Sequence, residues 1–143
     1  MVEIPEEVVD LIKGKPLIAS FATSVDEQPH VAPVWYNYED GKIQISKKKK
    51  KAKNAKKNPK VALSIEKNKN GIPKGMVTFQ GTAEIKSDKK VLKRVNRNIY
   101  SNYLGEDMDE WNELYRKQVE NPSPNEVIIE IKIETFATSV TGS

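Results

Sequence analysis

Three stretches of this chain alternate apolar and polar residues with a period of two, and that pattern constrains the fold more than any other feature. In residues 60–66, Val61, Leu63 and Ile65 fall on one side and Ala62, Ser64 and Glu66 on the other. Across 75–86, Val77, Phe79, Ala83 and Ile85 oppose Met76, Thr78, Gln80, Thr82 and Glu84, and Gly81 marks a bulge or a close backbone approach. In 127–134, Val127, Ile129, Ile131 and Ile133 oppose Ile128, Glu130, Lys132 and Glu134. A side-chain period of two belongs to strands. Residues 17–25 are apolar on both faces, as in a strand covered on both sides. Residues 30–38 and 42–46 flank Asp40-Gly41, a pair that closes two-residue hairpins, so they are expected to be antiparallel neighbours. The expectation is six strands.

Helical signals fall between them. Segment 5–13 has Pro5 at its first helical position, Glu6 and Glu7 in its first turn, and Gly14 behind it. Residues 48–57, made of Lys, Ala and Asn, favour a helix with almost no apolar face that stops before Asn58-Pro59. Residues 67–74 read as a mobile loop. Ser87 is the expected N-cap of a helix carrying Val91, Leu92, Val95 and Ile99 and closed by Gly105. A second helix, from about Asp107, carries Trp111, Leu114, Tyr115 and Val119. There is no βαβ periodicity and no glycine-rich phosphate loop, so the expected fold is mainly β with inserted α: an antiparallel barrel with flanking helices. At 143 residues and 16.2 kDa the chain suffices for one core, hence a single domain over 1–143.

Charge is concentrated. Residues 41–60 hold ten lysines and no acid, so in a chain of net charge +4 the other 123 residues carry −6. Such a cluster on an otherwise acidic protein points to an anionic ligand, against the plainer reading of a solvated helix. The run opens at a strand end and leads into a short helix, where ammonium groups and first-turn N–H donors converge on one phosphate. Ser46 adds a hydroxyl.

Composition excludes much else. The chain has no cysteine, hence no disulfide framework, thiolate nucleophile or thiolate metal site, and one histidine, His30, rules out a multi-histidine metal centre. No carboxylate pair is placed for acid-base work, and His30 reads as structural or pocket-lining. Trp35 is a candidate pocket wall, whereas Trp111 reads as core on an amphipathic helix. No stretch approaches a membrane span and the first residues, MVEIPEEVVDLIKG, are acidic, so a cytoplasmic protein without membrane contact is expected.

The strand PHVAPVWYNYEDGKIQIS, the basic stretch ending KAKNAKKNPKVALSIEK and the later GMVTFQGTAEI together resemble the pyridoxamine 5′-phosphate oxidase-like FMN-binding split β-barrels. The resemblance implies a six-stranded split barrel, FMN as cofactor, a homodimer with two flavins across its interface, and an oxidoreductase acting on a small molecule. By position it places Lys51, with Lys50 before it, at the flavin phosphate, and Ser46 where the family has threonine or serine, followed by Lys47. The phosphate contact falls within Lys47–Lys51. Val34, Trp35 and Tyr36 match the segment lining the isoalloxazine ring, and Gln80 matches a polar position that reaches the flavin from the partner subunit. His30 and Trp35 stand where true pyridoxamine phosphate oxidases carry arginine and lysine, so the resemblance does not extend to vitamin B6 oxidation. It implies no catalytic residue.

Two alternatives compete. Within the same fold, the deazaflavin F420 has a polyanionic tail that gives the surplus lysines a purpose. In another class, an OB-like barrel uses the lysines for nucleic-acid backbone and Trp35, Tyr36 and Tyr38 as stacking platforms. No aromatic residue is interleaved with the lysines, which disfavours nucleic acid.

Overall fold

The computed structural model describes residues 2–139. Its strands are β1 (Ala19–Val25), β2 (Gln28–Val34), β3 (Asn37–Glu39), β4 (Lys42–Lys48), β5 (Lys60–Lys69), β6 (Ile72–Lys86) and β7 (Glu126–Ser139). Its helices are α1 (Glu6–Ile12), α2 (Lys53–Lys57), α3 (Lys89–Leu104) and α4 (Glu113–Glu120). The strands form one antiparallel sheet in the order β2-β1-β5-β6-β7-β4-β3. The two edge strands, β2 and β3, are consecutive in the chain and joined by Trp35 and Tyr36 alone. A link that short spans at most about 11 Å, so the sheet must curl until its edges meet without pairing. The result is a split barrel with a seam at Trp35.

Phe21, Leu63, Ile65, Val77, Phe79, Ile43, Ile45, Ile129 and Ile131 fill the barrel, and Val8 and Ile12 of α1 join the same core. On the outer side of β7, Leu92, Val95 and Ile99 of α3 cover Ile128, which is why this strand is buried on both faces from Val127 to Ile131. Gly81 has both features expected of it. The β6–β7 register shifts between Gln80 and Gly81, and a Cβ on Gly81 would lie 2.2 Å from the Lys132 carbonyl oxygen.

The described residues form seven strands, one more than the sequence suggests, because the run 30–38 breaks. The Tyr36 amide leaves the ladder and donates to the Tyr103 hydroxyl at 3.2 Å, while the Tyr36 hydroxyl donates to the Ile12 carbonyl at 2.7 Å. The Asp40-Gly41 turn therefore joins β4 to β3 only, and β2 folds back on β1 through Asp26 and Glu27, both at positive φ. Residues 67–74 are not a mobile loop. Asn70 (φ 54°) and Gly71 (φ 82°) make a two-residue turn and the ladder runs to Lys69↔Ile72.

Other boundaries shift. The lysine run begins as strand: Lys47 and Lys48 pair with Val127 and Glu126, the Lys49 amide donates to the Asn125 carbonyl at 2.7 Å, and α2 is confined to Lys53–Lys57. Ladder bonds outweigh helix propensity where like charges would repel at i,i+4. Asp88, not Ser87, caps α3, accepting from the Lys90 and Val91 amides at 2.7 and 3.4 Å. The second helix starts later, at Glu113, after a 3-10 turn at Met108–Glu110. Trp111 lies between the two, 4% exposed, its indole N–H donating to the Gly105 carbonyl at 2.8 Å, so it is core as expected.

Candidate functional site

The seam leaves one side of β2 unpaired, and that edge carries Pro29 and Pro33, which have no N–H to offer another strand. Two cavities open along it, with Pro33 and Lys47 as a common wall. The larger, about 410 Å³, is lined by Phe21, Thr23 and His30 on one side and by Lys47, Lys50 and Lys51 on the other. The smaller, about 280 Å³, is lined by Val34, Trp35, Ser46, Lys47, Tyr100 and Tyr115.

Polar side chains fasten the lysine segment to the barrel. The Asn54 amide group donates to the Thr23 hydroxyl at 3.4 Å, and that of Asn58 donates to the Ser24 carbonyl at 2.7 Å. Acids neutralise the lysines around the segment: Lys57 pairs with Asp26, Lys60 with Glu134, and Lys42 and Lys86 with Glu130. Among the described residues no carboxylate forms such a pair with Lys47, Lys50 or Lys51, and none lines the 410 Å³ cavity. Partial burial, then the nearby Lys51 ammonium, push the Lys47 pKa below its ordinary value, against the opposing pull of Glu126. Glu126 also accepts a 3.4 Å hydrogen bond from Ser46 Oγ. Ammonium groups crowded in this way are relieved by a bound anion.

Backbone donors contribute less than the sequence suggests. The amides of Lys51 and Ala52 both donate to the Lys48 carbonyl, at 2.9 and 3.0 Å, and that of Lys49 to Asn125. The side chains of Lys47, Lys50 and Lys51 line the cavity and offer ammonium donors to an anion.

The smaller cavity is an aromatic chamber. Trp35 stacks on Tyr103 with centroids 4.4 Å apart and planes 4° apart, and lies 5.8 Å from Tyr115. Tyr100 meets Tyr115 edge-on at 5.1 Å. Burial first, then Glu126 and Tyr115, push the Tyr100 pKa up to about 12, so its hydroxyl stays protonated near neutral pH.

The structure thus brings together six of the eight residues singled out in the sequence: Val34, Trp35, Ser46, Lys47, Lys50 and Lys51. Tyr36 is 1% exposed and holds α1 through Ile12 rather than lining either cavity. Gln80 lies elsewhere, in a cross-strand row formed with Ala22, Ala62 and Thr135, where it accepts from the Thr135 hydroxyl at 3.1 Å. Sequence reading missed Glu126, Tyr100, Tyr115, Thr23 and Asn54. Tyr100 and Tyr115 were visible only as helix-face residues, and the other three gave no signal, because their place depends on strand pairings distant in sequence.

Among the described residues no cluster of His, Asp or Glu could hold a metal ion, and no helix is long and apolar enough to cross a membrane. The unclosed antiparallel sheet, its seam and the flanking helices define a class, the split barrels. The family model for pyridoxamine 5′-phosphate oxidase matches residues 4–139, and the chain belongs to that family. No curated protein sequence matches it. A conserved hypothetical protein of Mycobacterium tuberculosis superposes with a TM-score of 0.78 at 27% identity, over 98% of this chain and 86% of that one. A structure described as an F420 reductase gives 0.68 at 22%, over 94% and 98%. An FAD-binding protein of Mesorhizobium loti gives 0.65 at 19%, over 94% of both.

Proposed function

We propose that the seam binds FMN and that the protein is a flavin-dependent oxidoreductase acting on a small molecule. The observation that carries this reading is the convergence of Lys47, Lys50 and Lys51, which form no ion pair among the described residues, on a carboxylate-free cavity that adjoins an aromatic chamber. The residues fit the group: ammonium groups suit a phosphate, and the cavity size is that of small-molecule sites. A bound flavin supplies hydride and electron transfer itself, so a site without cysteine or a carboxylate pair is no obstacle. The chain's part is to hold the phosphate through Lys47, Lys50 and Lys51, to line the ring with Val34 at the end of β2 and Trp35 just beyond it, and to exclude water with Tyr100 and Tyr115.

Two copies complete the site in this reading. The row Val31–Ala22–Ala62–Gln80–Thr135, exposed except at the half-buried Ala22 and Ala62, is uncharged and made mostly of small side chains, which suits a two-fold contact that carries Gln80 toward the partner's ring. F420 in place of FMN is the second reading, favoured by the likeness to an F420 reductase and by the lysine surplus. The test is the absorption spectrum of the purified protein before and after adding FMN or F420, with mass measured by light scattering. Saturable binding of one cofactor per chain by a dimer is expected. Binding of neither, with retardation of single-stranded oligonucleotides at physiological salt, overturns the reading in favour of nucleic acid.

A further inference from the structure

The lysine run faces two ways. Lys47 and Lys51 line the seam cavity, but Lys49, Lys53 and Lys56 line another of about 580 Å³, with Lys50 on the boundary of both. Its floor includes Ile85 and Val127, and no carboxylate lines it. Among the described residues no acid pairs with any of these four lysines, although acids neutralise Lys57 and Lys60 immediately beyond them. Four lysines around one cavity concentrate like charge there. Solvation of a charge run explains exposed lysines; it does not explain a concave, acid-free arrangement over an apolar floor.

We infer that this second cavity binds an oligophosphate carried on an apolar body, with the chemistry of a nucleoside triphosphate. A phosphate monoester carries only about −1.5 to −2 and would leave half of the ammonium charge uncompensated. A triphosphate chain matches all four lysines, and the partly exposed Ile85 offers a nucleoside ring an apolar contact. The inference does not rest on the flavin reading, because Lys53 and Lys56 do not line the seam cavity.

The experiment is calorimetric titration of the full chain with ATP, tripolyphosphate and orthophosphate at physiological salt, alongside a separate FMN titration. Saturable binding of one ATP per chain is expected, with tripolyphosphate binding and orthophosphate not. Replacing Lys53→Ala and Lys56→Ala together should weaken ATP at least about tenfold, the scale of losing charged hydrogen bonds. The same pair should leave FMN affinity unchanged, and Lys53→Gln with Lys56→Gln should reproduce the loss with the helix composition kept polar. Lys47→Ala with Lys51→Ala should leave ATP binding intact. Absence of saturable ATP binding overturns the proposal, as does ATP affinity that depends on Lys47 and Lys51 instead. So does F420 binding that depends on Lys53 and Lys56 without any binding of ATP, which would assign the cavity to a cofactor tail.

Discussion

Trp35 lies flat on Tyr103, and the Tyr103 hydroxyl ties both sides of the seam by donating to the Leu17 carbonyl while accepting from the Tyr36 amide. One side chain of α3 thus satisfies the backbone where the sheet changes edge and supports the ring that walls the aromatic chamber. Tyr103→Phe keeps the stack but leaves both backbone groups without their partner, and should cost about 2 kcal/mol in denaturant unfolding. Tyr103→Ala should cost more, because the ring contact goes as well. Equal stability of wild type and Tyr103→Phe would show that the two bonds do not hold the seam.

Alkaline stability should follow the tyrosines. Burial pushes the pKa of Tyr100 and of Tyr103 up to about 12 from an ordinary 10.0. The neutral form is favoured by folding, so its contribution is complete below pH 10 and disappears as the pH rises through the folded values. Phenolate absorbance and circular dichroism followed together should show these tyrosines ionising only as the fold is lost. Full ionisation near pH 10 with the fold intact would contradict the burial described here.

Acid stability should depend on Glu130, which is 7% exposed, accepts from Gln44 at 3.0 Å and pairs with Lys86 at 3.0 Å and Lys42 at 3.5 Å. Burial raises its pKa, but the hydrogen bonds from Gln44 and Lys86 and the charges of Lys86 and Lys42 outweigh that and hold it below 4.5. A depressed folded value means stabilisation that is complete above the unfolded pKa and lost as the pH falls through the folded one. Glu130→Gln should cost about 1–2 kcal/mol at pH 7, since the lysine partners stay solvated, and flatten the acid limb of the stability curve. A variant with the same acid limb as wild type would contradict this.

Lys47 should trade stability for binding. Its lowered pKa means that the charged form is disfavoured by folding, so the penalty is present at neutral pH and is relieved as the pH rises through the lowered value toward 10.5. Lys47→Met should raise the melting temperature of the ligand-free protein at pH 7, remove its gain in stability through that pH window, and weaken FMN binding. A lower melting temperature with unchanged FMN affinity would make Lys47 a structural residue.

The barrel was legible because its strands announce themselves locally: the alternation in β5, β6 and β7 and the Asp40-Gly41 turn need no distant contact to be read. The break at Trp35-Tyr36 was not legible, since the run 30–38 is continuously strand-like and only Tyr103, far along the chain, draws the Tyr36 amide out of the ladder. Asn70-Gly71 was a local signal that the lysine- and asparagine-rich surroundings obscured. The lysine cluster stood out as charge, but its division between two cavities depends on β4 continuing to Lys48 and on Asn54 and Asn58 docking α2 onto β1.

The central claim, that the seam lysines hold a flavin phosphate, is tested most directly by comparing FMN with riboflavin, which has the same ring and no phosphate, in titrations of wild type and of Lys50→Ala with Lys51→Ala. The account predicts that FMN binds wild type more tightly by about 2–4 kcal/mol and that most of this difference vanishes in the double variant. Equal affinities of wild type for FMN and riboflavin, or an FMN preference that survives the double substitution, would contradict it.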